Sequence, residues 1–248
     1  MPETCTLHKL FFISPIAKII QSYYTGNGKD VQCNNITSIL IAISDVNYTL
    51  IEACNGGHMV LVEKMIANGA TGWNRGLWVA CRRGHIAIVE KMIAHGANYW
   101  DWGLLGACSG GHIALVEKMI AHGATDLNGG LYIACKEGHI AVIEKIIAKG
   151  ANNMNWGLLG ACKRGHKMAV EKMISNGATS WNDALWGACE GGHLELVKKM
   201  IACGATNLFI GMCEACYRGR TDIVKYLIAI GETKICCENH RVFINNDS

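Results

Sequence analysis

Hydrophobic and polar positions along this chain recur with a period of 27 residues. From residue 50 to 231 the same order returns: a stretch of apolar and small residues, Gly-His, an apolar stripe, Gly-Ala, and a polar connection. Self-similarity at a fixed period outranks any single motif, because each copy is one supersecondary unit. Residues 74–100, NRGLWVACRRGHIAIVEKMIAHGANYW, serve as the type unit. Asn74 reads as a helix N-cap, and the same slot holds Asp101, Asn128, Asn155 and Asn182. A short helix follows, with Leu77, Ala80 and Cys81 at i, i+3 and i+4 on one face. Gly84 ends it in the left-handed position that suits glycine. His85 opens a second helix in which Ile86, Val89, Met92 and Ile93 form an apolar stripe, while Glu90 and Lys91 face water. Gly96 closes that helix.

The other units keep the template. Gly-His recurs at Gly57-His58, Gly111-His112, Gly138-His139, Gly165-His166 and Gly192-His193. The seventh unit departs from it, with Gly219-Arg220 in place of Gly-His and Gly231-Glu232 in place of Gly-Ala. A degenerate terminal unit reads as a cap, since its outer face meets water. A 27-residue helix pair cannot bury its stripe alone, so the units must stack side by side. Small residues of the Ala80 and Cys81 type let the short helices approach closely. The expected array spans 50–231. Residues 1–49 hold no clean copy and read as an N-terminal segment, a degenerate capping repeat with a helix over Ile36 to Ile43. Residues 232–248 read as a polar tail.

Composition narrows the class. Half of the 248 residues are hydrophobic, too many for intrinsic disorder. The 23 basic and 20 acidic side chains leave a net charge of only +3, so nucleic acid is not the expected partner. No apolar run nears the roughly 18 residues that would span a bilayer. The best stretch, Leu10 to Ile20, is broken by Ser14, Pro15 and Lys18, and its flanks are not those of a signal peptide. The expectation is a soluble, unsecreted, cytoplasmic chain without a membrane partner.

Seven of the thirteen cysteines, from Cys54 to Cys216, keep the 27-residue period. Equivalent residues of stacked helices lie about 10 Å apart, whereas a disulfide needs Cα atoms within about 7 Å. They are therefore expected as buried small hydrophobes. The histidine column fails as a metal site for the same reason, and each histidine is expected to bond to the adjoining loop. Cys213-x-x-Cys216 with Cys237-x-x-His240 mimics a zinc-ribbon spacing, but Cys216 belongs to the repeat column and a whole helix separates the pairs. No metal or cofactor is expected. Nucleophile-elbow, phosphate-loop and zincin signatures are absent from the sequence. The recurring Glu-Lys dipeptides (Glu63-Lys64, Glu90-Lys91, Glu117-Lys118) read as a solvated face, and the expectation is a protein that is not an enzyme.

Leu-x-x-Ala-Cys-x-x-Gly-His, followed by an apolar-Val stripe and Gly-Ala, resembles the ankyrin repeat over about three quarters of the chain. The usual ankyrin unit has 33 residues and carries Thr-Pro-Leu-His. These units have 27 and carry Gly-Leu-Trp or Gly-Leu-Leu, and the missing residues fall where the family's β-hairpin finger stands. The Asn-Trp-Gly-Leu style is similar to arrays of large DNA viruses of amoebae. The resemblance implies an all-α, ankyrin-type helical-repeat solenoid of about seven helix-loop-helix units, with shortened or absent β-hairpin fingers. It further implies a non-catalytic, monomeric scaffold that binds a partner protein, a host protein in host cytoplasm if the source is viral. Two other readings stand beside it. One is a substrate-recruiting adaptor for a host ubiquitin ligase, and the other a zinc-dependent nucleic-acid binder resting on Cys213, Cys216, Cys237 and His240.

Comparison of the units with one another separates scaffold from variation. The two positions after the cysteine vary, as does the position two before the helix leucine. In the ankyrin fold these positions resemble the concave recognition surface. They supply the expected partner-binding residues: Arg75, Arg82, Arg83, Trp102, Lys136, Trp156, Lys163, Arg164, Tyr217 and Arg218. Arginine, tyrosine and tryptophan are the side chains that dominate interface energetics. Trp73, Trp100 and Trp181 are expected to pack in the connecting loops.

Overall fold

The structure, a computed structural model, describes residues 45–231. Among them fourteen helices run as seven pairs. The first helices are α1 (Val46–Gly56), α3 (Trp73–Arg83), α5 (Trp100–Gly110), α7 (Leu127–Glu137), α9 (Met154–Arg164), α11 (Trp181–Gly191) and α13 (Leu208–Tyr217). The second helices are α2 (Met59–Ala67), α4 (Ile86–Ala94), α6 (Ile113–Ala121), α8 (Ile140–Ala148), α10 (Lys167–Ser175), α12 (Leu194–Ala202) and α14 (Thr221–Ala229). The helix expected to be the short one has 11 residues in α3, against 9 in α4. Residues 68–72 alone join α2 to α3, and no strand occurs among the described residues, so the fingers are absent. This is the expected all-helical array of stacked helix pairs. The helix expected over Ile36 to Ile43 lies outside the described residues, as do Cys237 and His240.

Helices of 9 and 11 residues are too short to persist alone in water, where about 12–15 residues are marginal even for good helix formers. Packing holds them. Leu77, Ala80 and Cys81 are fully buried, as are their counterparts Leu104, Ala107 and Cys108. In α4 the buried stripe is Ile88, Val89 and Met92, whereas Ile86 is exposed. That corrects the expected stripe. At 3.6 residues per turn Ile86 falls about 110° from the centre of the other three, and the apolar residue types alone do not distinguish it from Ile88.

The asparagine column is not a set of N-caps. The first helix starts one residue before Asn74, at Trp73, and its N-cap is Gly72. Asn74 reaches forward instead: its Oδ1 accepts the backbone N–H of Asn98 at 2.8 Å and of Tyr99 at 3.0 Å, in the turn entering the next repeat. Asn155 does the same for Thr179 and Ser180, and Asp101 for Thr125 and Asp126. The column staples each repeat to the next by satisfying two turn amides. Trp73 and Trp100 are the first residues of helices rather than loop residues. Their rings lie 5.1 Å from His95 and 4.6 Å from His122. Trp181 likewise opens α11.

The histidine column also works between repeats. His139 Nε2 lies 3.0 Å from the Ser109 carbonyl oxygen, and its ring covers Gly111, where a Cβ would come within 2.8 Å. Gly111 has φ +77°, so glycine is required twice there, once by the backbone and once by the ring above it. In the seventh unit Arg220 takes over. Its Nε and Nη2 donate to the Glu190 carbonyl oxygen, and its guanidinium covers Gly192. The terminal unit thus has a different residue in the same role.

The first helices are not evenly packed. α3 and α5, α7 and α9, and α9 and α11 approach one another more closely than the other neighbouring first helices. The close pairs have Gly106, Gly160 and Gly187 in a slot that Val79, Ile133 and Glu214 fill elsewhere. A Cβ on Gly106 would stand 2.5 Å from the Trp78 carbonyl oxygen, and one on Gly160 would stand 2.8 Å from that of Tyr132. A second glycine set receives the cysteines: a Cβ on Gly157 would lie 3.1 Å from Cys135 Sγ. Small residues do bring the helices together, as expected, but the closest approach belongs to these glycines rather than to alanine and cysteine.

Candidate functional site

The first helices carry the surface that differs from repeat to repeat. Because Gly106 has no side chain, the Trp78 ring can lie over α5, where a Cβ on Gly106 would be 3.2 Å from Trp78 Cδ1. Trp78 and Leu105 then line an open recess of about 330 Å³ together with Arg75 and Trp102. The Arg82 guanidinium sits 5.6 Å over the Trp78 ring, a cation–π contact. Trp102, half exposed, meets Tyr99 edge-on at 5.5 Å. Farther along the array, Gly160 likewise makes room for a ring, and Tyr132 stacks on Trp156 with ring centroids 4.8 Å apart. Arg83 donates from Nε to Asn55 Oδ1 at 2.7 Å. Arg164 is exposed and Lys136 half-buried. Among the described residues, Arg75, Arg82, Arg83, Lys136 and Arg164 make no ion pair.

The far end of the same face is different. Glu190, largely buried, lies 2.8 Å from Lys163 Nζ and 3.0 Å from Arg218 Nη2. Arg218 Nε bonds to Glu214 at 2.9 Å, and Trp186 donates from Nε1 to the same carboxylate. Lys163 and Arg218, both expected to contact a partner, are therefore tied to acids of their own chain. Tyr217 stays exposed beside Arg218. Sequence comparison missed Trp78, Leu105, Tyr132 and Trp186 as members of this surface. The signal was present: the position after the helix leucine varies as Trp, Leu, Tyr, Leu, Trp.

The second helices offer the opposite. Lys91 pairs with Glu63, Lys118 with Glu90, Lys145 with Glu117 and Lys172 with Glu144, at 2.6–2.9 Å, and Lys199 pairs with Glu171. The Glu-Lys face is a ladder between repeats, one rung per unit.

The buried thiols offer no nucleophile. Burial pushes Cys54, Cys81, Cys108, Cys135, Cys162 and Cys189 up to about 12, and a thiol at that value is almost never a thiolate at neutral pH. Cys216 is buried in the same seam, and Cys237 and His240 of the zinc-ribbon spacing lie outside the described residues. Among the described residues no group of three or more His, Cys, Asp or Glu is arranged to hold a metal ion. No helix among them is long and apolar enough to cross a membrane.

No family model and no curated protein matches the chain. Solved structures do. The crystal structure of the human ASB11 ankyrin repeat domain is similar at a TM-score of 0.48, with 24% sequence identity, covering 63% of this chain and 84% of that one.

Proposed function

We propose that the array is a non-catalytic scaffold that binds a partner protein through its first-helix face. The observation that carries this is the contrast between the layers: one slot on the first helices changes shape in every repeat, while the second helices repeat one ion pair. Partner selection needs a surface that is rigid underneath and different at each step. The staples, the glycine slots and the buried cysteine seam provide the rigidity. The exposed arginine, tryptophan and tyrosine side chains are suited to anchoring an interface.

Paired charge reversals on the two faces test the reading. Arg82→Glu with Arg83→Glu should weaken partner binding by roughly tenfold or more, the loss associated with an interface anchor. Glu63→Lys with Glu90→Lys should leave it nearly unchanged. Both variants should stay folded by circular dichroism. Proteins recovered on the wild-type chain and quantified on the variants give the readout. Equal losses, or a larger loss from the glutamate pair, would move the binding surface to the second helices.

A further inference from the structure

Charge and shape vary in a defined direction along the first-helix face. Helices α3, α7 and α9 contribute Arg75, Arg82, Arg83, Lys136, Lys163 and Arg164. Against them stand Asp101, which is bonded to turn amides, and Glu137. On α11 and α13 the sign reverses: they carry Asp183, Glu190 and Glu214, with the single cation Arg218 at the helix end. At the acidic end Glu190 and Glu214 are ion-paired within the chain, whereas at the basic end Arg75, Arg82 and Arg83 make no ion pair among the described residues. The recess at that end opens between Arg75 and the apolar surfaces of Trp78, Trp102 and Leu105. Its volume of about 330 Å³ is at the foot of the range of about 300–1,000 Å³ for small-molecule sites, and suits one large side chain or two smaller ones.

Resting on the scaffold reading above, we propose that this end of the face docks an acidic peptide segment. The segment places one aromatic or branched aliphatic side chain in the Arg75–Trp78–Trp102–Leu105 recess and flanking carboxylates on Arg82 and Arg83. Charge complementarity selects the carboxylates, and the planar fork of arginine donates to them in bidentate geometry. A half-exposed apolar recess between cations selects the anchor. Single-stranded nucleic acid, the other polyanion drawn to basic and aromatic surfaces, needs open ring faces on which bases stack. Here each ring already meets a neighbour of its own chain. Arg82 covers Trp78, Tyr132 and Trp156 stack on each other, and Trp102 meets Tyr99.

The test uses the full chain and a display library of random 12-residue peptides. Selected peptides should carry several Asp or Glu residues around one Phe, Leu, Ile or Trp. A synthetic copy of the commonest selected sequence, fluorescein-labelled, should bind by anisotropy and weaken several-fold between 50 and 300 mM salt, because exposed charges are screened. Trp102→Ala and Arg82→Glu with Arg83→Glu should each lower its affinity roughly tenfold or more, while Glu63→Lys with Glu90→Lys should not. Should a variant lose its helical circular dichroism, Arg75→Gln and Trp102→Leu replace it. Selection of neutral or basic peptides, or of none, overturns the proposal. So does a fluorescein-labelled 15-nucleotide oligo-dT that binds more tightly and responds to the same substitutions. Peptides that bind independently of Trp102 and the arginines, yet respond to Trp156→Ala or Tyr217→Ala, sink this assignment but leave the first-helix face as the binding surface. Sensitivity to the glutamate pair alone sinks both.

Discussion

On the second helices Lys91 meets Glu63 and Lys145 meets Glu117 in one geometry, so that each rung repeats its neighbour. On the first helices Trp78, Leu105, Tyr132, Leu159 and Trp186 put differently shaped side chains into a single slot. The two layers come from the same 27-residue unit and are equally regular in backbone. Their difference shows where variation is tolerated. Below both, the leucine, alanine, cysteine and glycine seam admits almost no change, because an atom added to a close-packed interior has nowhere to go. Above it, the second helices hold a constant solvated surface and the first helices an individual one.

The contrast can be sharpened most strongly at the thiols under the first helices. With burial holding them near 12, the six seam cysteines should react slowly in the native chain, since roughly one in 10⁵ is a thiolate at pH 7. Thiol counting before and after denaturant checks this, and rapid native labelling of the column would remove the buried seam from the description.

Next comes the glycine slot. Gly106→Ala gains up to about 1 kcal/mol in helix propensity, but its Cβ meets the Trp78 carbonyl at 2.5 Å. A backbone oxygen cannot swing aside as a side-chain tip can, so overpacking should win, with a net loss of about 1–3 kcal/mol. Urea unfolding of the variant measures it. A more stable protein would show that the first helices have room to separate.

A smaller loss is expected at the staple. Asn155→Ala removes the acceptor of the Thr179 and Ser180 amides and should cost about 1 kcal/mol, because water can reach that turn. Asn155→Asp should cost little, since Asp101 fills the same role in its own repeat. Comparable losses from both changes would mean that the amide's N–H₂, not its oxygen, holds the turn.

The smallest effect is expected with acid. Burial is the main cause holding His193 below its ordinary value of 6.5; the Arg220 and His166 charges act the same way, and its bond to the Lys163 backbone opposes them. The unfolded chain then takes up the proton first as pH falls through about 6.5, so stability declines below that point. His193→Asn should flatten some of the slope in a melting-temperature profile between pH 7.5 and 5.5. Glu144→Gln on the second-helix ladder should leave the same melts almost unmoved at pH 7.5, as exposed pairs contribute little.

How much of this is legible in the sequence differs from element to element. The helix pairs, their burial at Leu77, Ala80 and Cys81, the two glycine stops and the variable positions all follow from local order, because a period of 27 leaves few ways to fold and stack. Local order misreads the asparagine column as N-caps. Its acceptor faces amides 24 and 25 residues on, and no local window contains them. Ile86 and Ile88 are equally apolar, so only the docked helix tells which one is buried.

At the candidate site, residue type and variability mark Arg75, Arg82 and Trp102 in advance, since these are properties of single positions. Which cations remain unpaired does not follow from residue type. Lys163 and Arg82 occupy the same slot and look alike in the sequence, yet stacking brings Glu190 to the first and only Ser109 of the next repeat's slot toward the second. Repetition along the chain set the helices, their ends and their buried seam. Contacts at a separation of one repeat, 24 to 30 residues, decided the staples, the ladder and the free charge, because partners so far apart meet only once the repeats are packed.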